Sequence, residues 1–305
     1  MATLRILAID GGGIRGYFSA YLLKRIQDEL ALDFTKSFDL ICGTSTGAII
    51  AAALATKYPI DKVLKLYEDN GRHIFTRTFG SWLGLLRARY DIERLRTELD
   101  AAFGNRTLAE TDTRLLIPAT DTGNANAHVF KSGYSADFAR DRHVRIADAI
   151  LASCAAPTYF KPVYIEPYLL ADGGLWANNP SMVGYIEAIV RLGASPGDVK
   201  LLSLGTGTSD KYYRTKDKDR AWGVLTGWGV SGVIDLLLNL QSKNTHNMLG
   251  LVLARDNYVR LSFEREQKLS LDDIESILDL RSIADRVFSE RFSAITALLD
   301  VRYRQ

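Results

Sequence analysis

The chain has 305 residues, of which 47% are hydrophobic and 24% charged, and its formal net charge at pH 7 is +2. This composition is typical of a globular protein with a packed core, and the nearly balanced charge gives no indication of nucleic-acid binding. The two cysteines, Cys42 and Cys154, lie among small apolar residues and are expected to be buried free thiols, which excludes a disulfide framework.

The apolar run from Leu4 to Ile9 follows Met1 almost directly. It leaves no room for a signal peptide, so we expect a cytoplasmic protein. No Pro/Gly/Ser-rich linker, low-complexity tract or internal repeat interrupts the sequence. The chain is therefore expected to form a single domain over residues 1–305.

A glycine-rich loop follows this first predicted strand. Asp10-Gly11-Gly12-Gly13-Ile14-Arg15-Gly16 precedes a helix with apolar periodicity from Tyr17 to Leu30. Gly11-x-Gly13-x-x-Gly16 matches the dinucleotide-binding fingerprint, so a non-catalytic nucleotide-binding module is one interpretation. The acidic ribose partner that this fingerprint needs is missing, because Asp39 lies within the next strand instead of at its end. Three glycines followed by Arg15 instead suit a row of backbone N–H groups that accepts an oxyanion.

The second predicted strand runs into a sharp serine turn. Asp39 to Cys42 are followed by Gly43-Thr44-Ser45-Thr46-Gly47, and Ala48 to Ala55 then predict a helix of small residues. The glycines on both sides of the serine are needed because larger side chains would collide with the neighbouring strand or helix. The serine hydroxyl would be exposed at a helix N-terminus, as a nucleophile requires. The alternative interpretation is that Ser45 only caps the helix.

Two predicted helices, Ile60 to Asn70 and Asp91 to Phe103, enclose a segment without clear periodicity, Phe75 to Tyr90. One interpretation of this segment is a partly buried loop. The other is a lid or an interfacial patch that contacts a lipid surface through apolar side chains flanked by arginines. The residues of such a patch would be Phe79, Trp82, Leu83 and Leu85 with Arg77, Arg87 and Arg89.

A carboxylate follows a later strand. After predicted strands at 115–120 and 128–131, a helix at 145–153 and a hairpin at 163–171, the chain reaches Asp172-Gly173-Gly174. Functional groups in open α/β sheets lie at the carboxyl ends of strands, where Ser45 and the glycine loop are also predicted. We therefore expect the three motifs to converge. The alternative for Asp172 is a turn residue that hydrogen-bonds its own backbone.

The last third of the chain is predicted to complete the fold. A helix from Pro180 to Leu192 precedes a strand from Lys200 to Leu204, and the charged run from Lys211 to Arg220 is interpreted as a solvated loop. Trp222 to Leu240 is the most apolar window, but its polar residues and glycines favour a buried or interfacial helix over a membrane span. A strand at 258–261 and helices over 271–299 then close the fold.

A serine nucleophile needs a base and an oxyanion hole. Of the four histidines, His73, His128, His143 and His246, only His246 follows Asp172, as the Ser-Asp-His order of α/β-hydrolases requires. A soluble carboxylesterase with a His246 base is therefore one alternative. The simpler hypothesis is a dyad, in which the Asp172 carboxylate takes the Ser45 proton directly and glycine-loop amides stabilise the oxyanion.

In this order, the motifs beginning at Asp10, Gly43 and Asp172 resemble the signature of the patatin-like phospholipases. The resemblance extends from about residue 3 to about residue 207 and includes Ala155-Ala156-Pro157-Thr158-Tyr159-Phe160 and Asn178-Asn179-Pro180. It implies a three-layer α/β/α fold with a mostly parallel central sheet. Residues 208–305 would form a helical C-terminal part of the same domain.

The resemblance also implies roles for individual residues. Ser45 would be the nucleophile and Asp172 the base of a lipid acyl hydrolase that cleaves ester bonds of membrane glycerophospholipids. The oxyanion hole would involve Gly11, Gly12, Gly13, Arg15 and Thr46, and the other motif glycines would be Gly16, Gly43, Gly47, Gly173 and Gly174. Neither a metal nor another cofactor is implied.

Compact members of this family that resemble the chain are bacterial, and some act in anti-phage defence by degrading the cell's own membrane after binding a cyclic oligonucleotide. The implied partners are membrane phospholipid, contacted peripherally at the inner membrane face, and a cyclic nucleotide activator. Nucleic acid polymers are not implied, and no motif indicates an oligomeric state. The basic run from Lys211 to Arg220 is a candidate activator site, with a solvated loop as the simpler interpretation.

Overall fold

The first strand of the chain lies in the interior of the central sheet. The computed structural model describes residues 3–78, 87–209, 218–219, 221–223, 228–265 and 269–301. The strands are Leu4–Ile9 (β1), Leu40–Gly43 (β2), Arg114–Asp121 (β3), Asn126–Lys131 (β4), Val163–Ile165 (β5), Tyr168–Asp172 (β6), Val199–Leu204 (β7), Thr208–Ser209 (β8), Tyr258–Leu261 (β9) and Glu264–Arg265 (β10). The helices are Gly16–Leu30 (α1), Phe34–Ser37 (α2), Thr46–Ala55 (α3), Ile60–Ile74 (α4), Ile92–Phe103 (α5), Ile146–Ser153 (α6), Gly174–Ala177 (α7), Ser181–Val190 (α8), Val230–Val252 (α9) and Ile277–Leu299 (α10).

Within the described residues, eight strands form one sheet in the order β5-β6-β3-β2-β1-β7-β9, and β4 also pairs with β3. The neighbours from β3 to β9 are parallel, whereas β4 and β6 run antiparallel to β3 and β5 runs antiparallel to β6. Strand β9, from the last third of the chain, extends this sheet beside β7. The sheet is therefore mixed but mostly parallel, as the predicted fold class requires.

Side chains of β1 alternate between two hydrophobic cores, one on each face of the sheet. Ile6 and Ala8 pack in a core that includes Leu249 of α9 and residues of α8. Leu7 and Ile9 pack in a larger core with residues of α1, α3, α4, α5, α6 and α10. Helices thus cover both faces of the sheet, and the predicted three-layer α/β/α fold is confirmed.

Strands β2 and β6 share one edge of β3. Cys42 of β2 pairs with Leu116, and Asp172 of β6 pairs with Ala119, while β4 pairs with β3 all the way from Leu116 to Asp121. Because β4 occupies the opposite edge, β2 and β6 lie end to end on the remaining edge. They run in opposite directions, so their carboxyl ends meet beside residues 117 and 118 of β3.

This arrangement corrects one expectation. The serine turn follows a parallel strand, but Asp172 arrives on an antiparallel strand and so does not lie at the carboxyl edge of a parallel sheet. The three motifs still converge, because β3 continues beyond its pairing with β2 and β6 fills the edge that β2 leaves open.

Several other predictions are tested by the described residues. The helix expected from Trp222 to Leu240 begins later, at Val230, and continues to Val252. Across the described ranges, none of the helices combines the length and the hydropathy needed to span a bilayer. Cys42 and Cys154 are buried free thiols, as predicted. That residues 1–305 form one domain stays a prediction.

The proposed interfacial patch is only partly described. Phe79, Trp82, Leu83 and Leu85 lie outside the described residues, as do residues 211–217 and 220 of the charged run, so these interpretations stay predictions. Arg89 is described and is buried, with its guanidinium 4.5 Å from the ring centre of Tyr159. Arg89 therefore stabilises the protein interior and does not flank an exposed patch.

Candidate active site

The turn at Ser45 is held in a strained backbone conformation. Ser45 has φ 54° and ψ −125°, and L-residues rarely adopt such a positive φ. A Cβ atom on Gly43 would lie 2.2 Å from the Gly47 carbonyl oxygen, and one on Gly47 would lie 2.3 Å from the Ile9 carbonyl oxygen. The expectation that larger side chains would collide here agrees with these distances. Although Ser45 is the N-cap residue of α3, its hydroxyl makes no capping hydrogen bond, which contradicts the capping interpretation.

A second serine, Ser153, fixes the backbone of this turn. The Ser45 N–H donates to Ser153 Oγ at 2.9 Å, and the Ser153 hydroxyl donates to the Pro118 carbonyl oxygen at 2.5 Å. Ser153 is the last residue of α6 and is fully buried, so water does not compete for either bond. One hydroxyl group thus connects the serine turn to β3 at the point where β2 and β6 meet.

Asp172 is the last residue of β6 and lines the same cavity as Ser45. Its Oδ1 accepts a hydrogen bond from the Gly174 N–H at 2.6 Å, which is the local turn contact that the alternative interpretation expected. Burial raises the pKa of Asp172 to about 6, while hydrogen bonds from the Gly174 amide and the Ser45 side chain act in the opposite direction. A carboxyl group with this pKa is ionised at neutral pH and basic enough to accept a proton in catalysis.

Three backbone amides beside Ser45 are candidates for stabilising an oxyanion. Gly12, Gly13 and Thr46 line the cavity, and their N–H groups have no hydrogen-bond partner among the described residues. Thr46 is the first residue of α3, so its amide belongs to the positive end of that helix. The glycines are packed closely from behind, since a Cβ atom on Gly12 would lie 2.2 Å from Thr206 Oγ1.

Gly11 and Arg15 make contacts that support the glycine loop. The Gly11 N–H donates to the Asn178 carbonyl oxygen at 3.0 Å, so it is not available to a bound oxyanion. Arg15 is buried outside the cavity lining, and its Nε donates to the Gly12 carbonyl oxygen at 3.3 Å. Both groups are thus engaged in contacts that hold the loop in place, and a role of either residue in an oxyanion hole stays a prediction.

An ion pair anchors the first residue of the glycine loop. Arg260 of β9 donates from Nη1 to Asp10 Oδ1 at 2.8 Å and from Nη2 to Asp10 Oδ2 at 2.5 Å, a bidentate arrangement. Ser242 of α9 donates to Asp10 Oδ2 at 2.9 Å and accepts from Asn178 Nδ2 at 3.0 Å. Since Asn178 also binds the Gly11 amide, residues of the last third of the chain position the loop.

The cavity beside Ser45 and Asp172 encloses about 90 Å³ and has mainly apolar walls. Leu175 is 48% exposed, so the apolar surface continues from the cavity to the outside of the protein. Burial keeps the pKa of the Cys154 thiol, which also lines the cavity, well above its ordinary value, so this thiol is a poor competing nucleophile. The apolar side chains of the wall are Ile14, Ile49, Leu66, Tyr67, Ile74, Phe75, Leu95, Ala156, Pro157, Tyr159, Phe160, Leu175, Ile234, Leu238 and Leu271.

No histidine is among the described residues that line this cavity. His246 lies on α9, where its Nδ1 is 2.9 Å from the Tyr258 hydroxyl, and it lines a different cavity. The geometry therefore contradicts the carboxylesterase alternative with a His246 base. In the part of the chain that the structure describes, no three His, Cys, Asp or Glu side chains are grouped as a metal ion would require.

Sequence reasoning missed Ser153, Arg260 and Ser242. A polar residue that follows the apolar stretch Ala149 to Ala152 at the end of the helix is the one local signal for Ser153. Arg260 alternates with buried residues in a four-residue strand, which normally indicates a solvent-facing side chain. Its partner Asp10 is 250 positions away in the chain, and no local pattern reports such a contact.

Comparison with known proteins agrees with this geometry. The family model described as Patatin-like phospholipase matches residues 7–184. The chain is 30% identical over 290 residues to a cGAMP-activated phospholipase from Pseudomonas aeruginosa, and this match covers 92% of this chain and 84% of that protein. It is 33% identical over 283 residues to a cGAMP-activated phospholipase from Escherichia coli strain TW11681, and this match covers 85% of this chain and 79% of that protein.

A third relative is a cUMP-AMP-activated phospholipase from Escherichia coli, 29% identical over 307 residues that cover 97% of this chain and 92% of that protein. The family model spans more than half of the chain, and the relatives match over most of their lengths. This chain therefore belongs to the patatin-like phospholipase family.

Proposed function

We propose that this protein hydrolyses ester bonds of membrane glycerophospholipids with Ser45 as nucleophile and Asp172 as general base. The observation that carries the proposal is the junction of β2 and β6, which brings a strained serine turn and a buried carboxyl group to one apolar cavity. Serine and carboxylate alone would fit many hydrolases. The apolar walls, continuous with the exposed Leu175, favour a substrate with a long hydrocarbon chain.

In the acylation step, the Asp172 carboxylate takes the Ser45 proton while Oγ attacks the ester carbonyl carbon. The carbonyl oxygen becomes an oxyanion, which the amides of Gly12, Gly13 and Thr46 stabilise. The tetrahedral intermediate then collapses to an acyl-serine ester, and the protonated Asp172 returns its proton to the departing lysophospholipid oxygen.

Deacylation repeats the sequence with water. Asp172 accepts a proton from the water that attacks the acyl-serine carbonyl carbon, and the same amides stabilise the second oxyanion. Collapse of this intermediate releases the fatty acid and returns a proton to Ser45. The pKa of Asp172, raised by burial to about 6, suits a group that must gain and lose a proton in each half-reaction.

The proposal includes an activator and a place of action. The relatives are named for activation by cGAMP or cUMP-AMP, which supports a cyclic dinucleotide as the signal that switches this hydrolase on. The enzyme would act from the cytoplasm, bound peripherally to the inner membrane face. Degradation of the cell's own membrane after such a signal is the expected role in anti-phage defence.

The test is fatty-acid release from mixed phospholipid vesicles by the wild type and by Ser45→Ala, each with and without cGAMP or cUMP-AMP. We expect release by the wild type, dependence on one nucleotide, and no release by the variant. A fluorophosphonate probe should label the wild type and not Ser45→Ala. If the wild type released no fatty acid under any condition and Ser45 were not labelled, the hydrolase proposal would be refuted.

The same experiment distinguishes the nucleotide-binding module built on Gly11-x-Gly13-x-x-Gly16. That alternative predicts dinucleotide binding without any ester hydrolysis. Two contacts weigh against it: the Gly11 amide binds the Asn178 carbonyl oxygen, and Gly12 and Gly13 line the cavity of Ser45.

A further inference from the structure

A second cavity lies next to the anchor of the glycine loop. It encloses about 450 Å³ between α9, β9 and α10, and its walls are more polar than those of the cavity at Ser45. Arg260 and Ser242 line it, and both donate hydrogen bonds to the Asp10 carboxylate. Gly12 and Gly13, which follow Asp10 in the chain, line the cavity of Ser45.

The walls of this second cavity combine the groups that a nucleotide needs. Lys243 and Arg291 are exposed cations that make no ion pair or hydrogen bond with other described residues, so both are available to phosphate oxygens. Glu264 and Glu290 can accept hydrogen bonds from the amino groups of a base. Tyr258 offers an aromatic ring against which a base can pack.

We propose that this cavity binds a cyclic dinucleotide and that the ligand's phosphate, by contacting Arg260 and Ser242, sets the position of the glycine loop. This inference rests on the proposed function, because it assigns a binding site to the cyclic dinucleotide that is proposed to activate the hydrolase. It also differs from the sequence-based candidate at residues 211–220, because every residue named for the new site lies on α9, β9, β10 or α10.

The coupling route consists of two short chains of contacts. Arg260 holds Asp10 by two hydrogen bonds, so a phosphate that binds Arg260 changes how firmly the first residue of the loop is held. Ser242 connects Asp10 to Asn178, whose carbonyl oxygen accepts the Gly11 N–H. Both routes end at the loop whose Gly12 and Gly13 amides are proposed to stabilise the oxyanion. An activator that shifts this loop by a fraction of an ångström changes the fit of the oxyanion.

Coupling of this kind is reciprocal. If the nucleotide stabilises the reactive position of the loop, occupation of the Ser45 cavity must strengthen nucleotide binding by the same factor. A protein inhibited at Ser45 by a phosphonate, whose oxygen occupies the oxyanion position, should therefore bind the nucleotide more tightly than the free protein.

The binding test uses cGAMP and cUMP-AMP as probes and titration calorimetry as the measurement, in the Ser45→Ala background so that no hydrolysis intervenes. The double variant Lys243→Glu/Arg291→Glu reverses two exposed charges of the cavity. We expect at least tenfold weaker binding of the nucleotide that the parent binds. The control Lys62→Glu/Lys65→Glu reverses two exposed charges in another cavity, beside α4 and α5, and should bind like the parent.

Equal binding by the two double variants would overturn the site, as would the absence of binding of either nucleotide to the parent protein. A separate variant, Ser242→Ala, tests the coupling: at a nucleotide concentration that calorimetry shows to saturate the variant, it should give at least tenfold less nucleotide-dependent fatty-acid release than the wild type. Full activation of Ser242→Ala would overturn the route through α9. Because calorimetry does not need an active Ser45, failure of the hydrolase proposal and failure of this site give different results.

Discussion

Replacing Ser153 by alanine removes the group that holds the serine turn. The Ser45 N–H loses its acceptor at 2.9 Å, and the Pro118 carbonyl oxygen loses its donor at 2.5 Å. Ser153 is fully buried, so water has no direct route to replace the missing hydroxyl. The variant leaves Ser45, Asp172 and the glycine loop chemically unchanged, which makes it a test of positioning.

The size of the effect follows from the two broken bonds. A buried backbone group left without a partner costs about 1–3 kcal/mol of folding free energy. The positive φ of Ser45 itself costs on the order of 1–3 kcal/mol, and it persists only while the surroundings enforce it. If the substitution raises the activation free energy by about 2 kcal/mol because the reactive geometry is less well held, kcat falls roughly thirtyfold.

The assay is steady-state hydrolysis of phospholipid vesicles together with thermal unfolding. Ser132→Ala is the matched control, because buried Ser132 also accepts a backbone N–H, that of Leu115, at 2.9 Å. Both variants should lose similar stability, but only Ser153→Ala should lose kcat, with KM little changed. Equal kcat values for the two variants and the wild type would refute the positioning role of Ser153.

Three further predictions concern the base and the cavity entrance. Activity as kcat/KM should rise about tenfold per pH unit below pH 6 and level off above pH 7, because Asp172, whose pKa burial raises to about 6, must be ionised; a flat profile between pH 5 and 7 would exclude it as the base. Asp172→Asn should be nearly inactive yet more stable than the wild type at pH 8. Burial raises the pKa of Asp172 in the folded state above its unfolded value, so the stability present at low pH is lost as pH rises through about 6. At pH 8 the buried carboxylate therefore lowers the free energy of unfolding by roughly 3 kcal/mol at most, and the neutral asparagine removes this cost. A lower melting temperature for the variant at pH 8 would contradict this prediction. Leu175→Asp should reduce activity on vesicles at least tenfold and activity on a short soluble ester less than threefold, whereas equal losses on both substrates would show that Leu175 does not contact lipid.

The motifs were predictable because each depends on local geometry. A strand, a run of glycines and a helix of small residues define the turn at Ser45 regardless of the rest of the fold, and the close contacts of Gly43 and Gly47 show why no other residue fits. The apolar run from Leu4 to Ile9 likewise predicted the strand β1, whose side chains pack in cores on both faces of the sheet. These features need only a few neighbouring residues.

The errors have a common physical origin in long-range contacts. The hydrogen bond of the Gly11 amide was missed because its partner, the Asn178 carbonyl oxygen, is far away in the sequence. The ion pair of Arg260 was missed because its partner, Asp10, is 250 positions away in the chain. The direction of β6 could not be read from its sequence, since a short apolar strand pairs equally well in either orientation.

The head-to-head meeting of β2 and β6 also bears on how the chain folds. A slip of one residue between β6 and β3 would displace Asp172 by about 3.3 Å and turn its side chain to the other face of the sheet. A nascent chain that has formed only β1, β2 and β3 carries Ser45 without Asp172, because Asp172 belongs to a hairpin, β5 and β6, that is synthesised later. The carboxylate reaches Ser45 only when this hairpin has paired with the vacant edge of β3. If Asp172 is the base, as proposed, a chain whose β5-β6 hairpin has not yet paired with β3 cannot hydrolyse lipid, so the order of synthesis delays activity at least until β6 is in place.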